Sequence, residues 1–267
     1  MVLRAFLPPL LVAPLLSCAI GQTTGAPSVG HSAPRASEYF RLGRQIFSSP
    51  EDTGSGGLQR ADLAEPVQVR LRDLVREAVG ATLVSDSPVL SNVITTINNV
   101  QGELGFSAAW GVEVTNVPFA DFSRLNGTPT LVDAYVIIQG GAVPDSRAYV
   151  DFYQHVYGEW QLKATEGREF RGSTFFVSRI RPGISGEEWY LAWGQRLGDT
   201  GSRLNVRIYG FNGVTARTVW KRDDLVRGNL QLLDGAVTLD YEERYAPTEP
   251  GVKHVHEVLR VTPDGLK

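Results

Sequence analysis

The chain has 267 residues, a formal net charge of −3 and 42% hydrophobic residues. That length allows one large domain or two small ones, and the apolar content is enough for a core. Mild acidity without a basic stripe argues against nucleic-acid binding, and a single cysteine, Cys18, excludes an internal disulfide.

Residues 1–16 carry one basic residue, Arg4, followed by an apolar stretch, Ala5 to Leu16, interrupted by Pro8, Pro9 and Pro14. The stretch is too short to cross a bilayer as a helix. A basic start, a short apolar run and small residues after it read as an export signal covering 1–21. Within it, Leu15-Leu16-Ser17-Cys18 resembles the lipobox of bacterial lipoproteins. The resemblance implies cleavage before Cys18 and a diacylglyceryl group on its sulfur. That anchor implies an outer-membrane-associated or periplasmic lipoprotein. The alternative is a secreted soluble protein, cut after Ala19-Ile20-Gly21.

Residues 22–60 are expected to be a flexible tether, rich in Gly, Ser, Thr, Ala and Pro at first, with a short helix over Glu38 to Phe47. From 61 to 267 the pattern predicts a single α+β domain, with helices over 62–104 and a β-rich part over 108–267. Val67, Leu71, Leu74, Val75, Ala78 and Val79 recur at helical spacing. Ser87 and Pro88 suit the start of a second helix, striped by Leu90, Val93, Ile94, Ile97 and Leu104. Trp110, Val112 and Val114 suggest a strand that Pro118 ends, and Asn126-Gly127-Thr128 reads as a turn.

From Leu131 to Val261 apolar and polar residues alternate between turn signals. Val132, Ala134, Val136 and Ile138 share a face, as do Val150, Phe152 and Val156, with Asp151, Tyr153 and His155 opposite. Strands follow at Trp160–Ala164, Phe175–Ile180, Trp189–Trp193 and Leu204–Ile208. Asn212-Gly213 and Asp234-Gly235 mark hairpins, and Lys253 to Val261 reads as the last strand. The expected fold class is therefore α+β: two N-terminal helices packed on a large antiparallel, hairpin-connected sheet, as a sandwich or open barrel. Such strands bury one face and wet the other.

Three constellations bear on chemistry. Asp52-Thr-Gly-Ser55 and Asp199-Thr-Gly-Ser202 resemble the paired loops of pepsin-like aspartic proteases, whose two carboxylates share a proton and activate water. Asp52 follows Ser49-Pro50-Glu51 in a polar linker and Asp199 lies between two strands, so ordinary turn chemistry also explains both. His254 and His256 share a strand face, with Asp240 as a distant third ligand, but Arg260 on that face disfavours a cation. Trp189 and Trp193 share a face with Leu191 opposite Tyr190, and together with Trp160 and Trp220 they read more readily as core than as a binding strip.

No metal or cofactor is expected. The reading that follows is a non-enzymatic binding or assembly module of the cell envelope, held to a membrane through Cys18, with an envelope protein or a glycan as partner. The alternative is a secreted hydrolase, its aspartic-protease version using Asp52 and Asp199.

Overall fold

The computed structural model describes residues 69, 72–73, 75–77, 79–80, 82–95, 112–139, 145–171, 174–180, 186–198, 201–233, 235–244, 251–262 and 265–267. All belong to one compact unit, His31–Lys267. Strands hold 73% of the described residues and helices 11%, so the fold is mostly β. The expected α+β class is overturned. Described helical residues fall in two short segments, within 69–82 and at 90–95, neither with a run of seven, and the strands divide between two antiparallel sheets. Val75, Val79, Leu83 and Val93 are buried, but apolar spacing reports a covered face and not the length of a helix. A long sheet also needs less helical cover when a second sheet packs on it.

The first sheet pairs β1 (Val112–Leu125), β2 (Thr128–Gln139), β3 (Asp145–Val156) and β4 (Glu159–Glu166) in sequence order. Its two-residue turns put Asn126 and Gly127 at φ 51° and 83°, and Tyr157 and Gly158 at 55° and 82°. Left-handed geometry at both turn residues matches the twist of the flanking strands. Pro118 does not end β1. The register breaks between Asn116 and Ala120, and β1 is the outer strand of its sheet, so the missing N–H disrupts no ladder.

The second sheet follows as β5 (Thr174–Ile180), β6 (Glu188–Gly198), β7 (Gly201–Phe211), β8 (Ala216–Leu233), β9 (Ala236–Arg244), β10 (Val252–Thr262) and β11 (Gly265–Leu266), again paired in order. One face of β5–β7 packs on the first sheet. Val132, Ala134, Val136, Val150 and Phe152 meet Phe175, Val177, Tyr190, Ala192, Tyr209 and Phe211 in a shared core. Phe152 stacks on Phe211 at 4.9 Å and meets the Tyr190 ring edge-on at 5.6 Å. A polar clasp closes one side. Glu188 Oε2 accepts from Ser123 Oγ and from the Tyr190 hydroxyl, each at 2.8 Å. Arg179 donates to Glu188 Oε1 at 2.6 Å and lies 3.3 Å from Asp121 Oδ2. With these partners a buried carboxylate is tolerated.

The opposite face of the second sheet builds another core from its own strands: Trp189, Leu191, Leu204, Val206, Ile208, Leu225, Val237, Leu239 and Leu259. A sharp bend in β8 makes this packing feasible. Glu257 aligns across β9 with Leu230, yet it forms a two-point ion pair with Arg222, at 2.7 and 3.3 Å. Eight residues of straight strand would separate Arg222 from that row by roughly 26 Å. The strand therefore turns back, carrying β9 and β10 across the face. Its register shifts twice against β7 and once against β9, and Asp224 and Arg227 hold positive φ. Bulges bend and twist a strand in this way. Side chains pin the bend: Arg207 lies 2.5 Å from Asp223, Arg196 donates to Asp224 at 2.5 Å, and Asn205 Oδ1 accepts from the Asp224 N–H at 2.9 Å.

Candidate functional site

Two places combine unusual chemistry. The first lies on the outer face of the first sheet, where the sequence pattern predicts solvent. Asp133, Tyr135, Asp151 and Tyr153 point that way, and all four are buried. The helical segment within 69–82 covers them. Arg76 Nε and Nη2 donate to the two oxygens of Asp151, each at 3.0 Å, and Nη2 also donates to Thr165 Oγ1. Thr165 Oγ1 donates to Asp151 Oδ1 at 2.7 Å and the Tyr135 hydroxyl to Oδ2 at 3.0 Å. Arg72 sits over the Tyr149 ring at 5.8 Å. Burial works against the Arg76 charge, but the Asp151 hydrogen bond and charge outweigh it and raise its pKa.

Asp133 is the cross-strand partner of Asp151. Neither of its carboxyl oxygens has a side-chain partner among the described residues. Burial first, and then the Asp151 charge, push its pKa well above the carboxylate range, and the Ala134 backbone N–H offsets this only in part. Burial and then Asp151 raise the Tyr153 phenol as well, whose oxygen is also unpartnered among the described residues. Two carboxyls side by side in one site also occur in acid proteases, where they share a proton and activate water. Here both are 0% exposed, so they present no surface to a substrate.

The second place is an exposed aromatic row on the self-packed face of the second sheet. Phe176 on β5 is 44% exposed and stacks on half-buried Trp193 of β6, centroids 5.4 Å apart and planes 25° from parallel. The cross-strand row continues through Val206 on β7 to Arg222 on β8. Arg222 lies over the Trp220 ring at 5.1 Å while its guanidinium holds Glu257. Two ring faces and a planar charge pair thus share one side of the sheet. Their polar atoms keep room for further hydrogen bonds, since a guanidinium has five donors and a carboxylate about four acceptor sites.

Other candidates fall elsewhere. Cys18, Asp52 and Asp199 lie outside the described residues. His256 Nδ1 stands 2.7 Å from Asp240 Oδ1, and His254 Nδ1 4.0 Å from Glu242 Oε1, all on an outward strand face. Among the described residues no group of three or more His, Cys, Asp or Glu side chains is placed to hold a metal ion. Trp189 is buried and Tyr190 is buried on the opposite face. Trp160 donates its indole N–H to the Ser85 carbonyl at 2.6 Å. Sequence reasoning did not single out Phe176, Asp133 or Arg76. The first gave a visible signal, an aromatic on the wetter face of an outer strand. The other two looked like ordinary solvated charges. Among the described residues no helix is long and apolar enough to cross a membrane. No protein-family model matches the chain, and no curated protein is similar to it in sequence.

Proposed function

We propose that the protein is a non-enzymatic binding module of the cell envelope, tethered to a membrane by a lipid on Cys18, and that its ligand is a glycan. The observation that carries the binding reading is the exposed Phe176–Trp193 stack beside the Trp220–Arg222–Glu257 assembly. A pyranose ring has an apolar C–H face and a rim of hydroxyls. Ring faces take the first, and a guanidinium–carboxylate pair takes the second by bidentate hydrogen bonds. Strands stand about 4.8 Å apart, so the aromatic stack and Arg222 are roughly 10 Å from one another, a span suited to an oligosaccharide and not to a single sugar. Anchoring is supported by the Leu15-Leu16-Ser17-Cys18 motif after its apolar run.

Titrating the full chain with soluble peptidoglycan fragments while following tryptophan emission tests the ligand. A saturable shift that the Phe176→Ala variant lacks supports the reading, and an unchanged spectrum overturns it. Mass spectrometry of the membrane-extracted protein tests the anchor. The expected N-terminus is an acylated Cys18; an unmodified terminus after Gly21 replaces anchoring with secretion.

A further inference from the structure

Asp133 and Asp151 face each other across β2 and β3, and both are shut off from solvent. Like charges that close, in a dry site, do not both ionise. Asp151 has what a carboxylate needs: Arg76, Thr165 and the Tyr135 hydroxyl. Asp133 has no side-chain partner among the described residues. The proton therefore resides on Asp133, in agreement with its raised pKa. A cation is a poorer occupant than a proton, because Arg76 already neutralises Asp151.

We propose that this pair is a proton-operated latch: while Asp133 keeps its proton, Arg76 pins the helical segment to the first sheet, and loss of that proton lifts the segment. The inference is independent of the glycan reading. On deprotonation the proton passes to water or a buffer base, and the new carboxylate stands unpartnered beside Asp151. It gains hydration only where the cover opens. The cover is the Arg76 segment, tied to the sheet through this cluster. Its continuation is docked separately, by Trp160 on the Ser85 carbonyl and by Arg124 at 3.4 Å from Asp86. Opening at Arg76 thus also exposes Val75 and Val79 and parts Arg72 from the Tyr149 ring, and leaves residues 85–86 as the polar attachment.

Among the described residues, the ionisable groups facing the pair come from β2, β3 and the helical segment. Tyr135 comes from β2, Tyr149, Arg147 and Tyr153 from β3, and Arg72, Asp73 and Arg76 from the helical segment. β1 offers Ala120 opposite Asp133, and β4 offers Thr165, neither of which titrates. Arg147 and Arg168 act on Tyr149, whereas Asp151 is the charged group acting on Asp133. The sign follows from linkage. A carboxyl whose pKa is raised by folding contributes its full stability below the unfolded value, about 3.9, and loses it as pH rises through the folded value.

The test follows two signals on the full chain across pH. The Asp133 carboxyl carbon is titrated by NMR, and backbone amide exchange of residues 72–82 is measured after correction for intrinsic rates. The latch requires Asp133 to titrate well above the ordinary range, and protection of 72–82 to fall at least tenfold over the same pH interval while strands β2 and β3 stay protected. In Asp133→Asn the segment keeps its protection through that interval. An ionised Asp133 at pH 5 with the segment still protected overturns the proposal, as does protection that never changes while the carboxyl titrates. Should the Asn variant not fold, the two wild-type curves decide alone: their coincidence supports the latch and their mismatch overturns it.

Discussion

Replacing Arg76 by Met keeps most of the aliphatic stem and removes the charge that faces Asp151. The Arg76 side chain is 18% exposed and Asp151 0%. Breaking a buried ion pair by removing one partner costs about 3–5 kcal/mol, because the remaining charge is stranded. Asp151 keeps the Thr165 and Tyr135 hydroxyls at 2.7 and 3.0 Å, so the lower end, about 3 kcal/mol, is expected. For a chain of this size that lowers Tm by roughly 6–12 °C. Urea unfolding at neutral pH measures it, with Asp151→Asn as the second arm of a double-mutant cycle. An Asn at 151 has no charge to strand, so R76M costs less than half as much in that background. A loss under 1 kcal/mol, or equal losses in both backgrounds, refutes the idea that Arg76 and Asp151 are coupled.

Three further outcomes test the packing. Gly228→Ala places a Cβ 2.6 Å from Leu204 Cβ and 3.1 Å from Leu225 Cβ, neither of which is a flexible end, so a loss of about 1–3 kcal/mol in urea unfolding is expected from overpacking at the β8 bend. Tyr157 holds φ 55° in a turn and is 98% exposed. Asn accepts that conformation more readily, so Tyr157→Asn raises stability by about 0.5–1 kcal/mol, read as a higher Tm. Phe152→Ala empties the contact with Phe211 and Tyr190 between the sheets and costs about 3–5 kcal/mol by the same unfolding assay.

Local turn chemistry and face assignment were legible in the residues. Asn126-Gly127 turns where its composition says, and Tyr190 lies opposite Trp189 as alternation requires. What failed was the step from pattern to surroundings. Asp151 and Tyr153 sit on the polar face of β3, and polar-alternating faces are ordinarily wet. In this fold the face is roofed: the Tyr135 and Thr165 hydroxyls serve Asp151 in place of water, while Asp133 and Tyr153 are buried without a side-chain partner among the described residues. Lys221-Arg-Asp-Asp224 and Arg227-Gly228 resemble a surface loop between two hairpins. They form instead the bent middle of one 18-residue strand, because Arg196, Asn205 and Arg207 from neighbouring strands hold it. Pairing partners that distant in sequence leave no local mark. Apolar stripes at helical spacing identified residues that are buried, but the second sheet supplies most of the cover that the helices were expected to give.

The binding reading turns on Phe176, which is exposed enough that its removal leaves the fold intact, within about 1 kcal/mol. Calorimetric titration of wild type and Phe176→Ala with soluble N-acetylglucosamine oligomers measures its role directly. Wild type is expected to bind, and the variant to bind at least tenfold more weakly, a difference of about 1.4 kcal/mol. Equal affinities, or no heat from wild type with any oligomer length, contradict the assignment of this face as a glycan site.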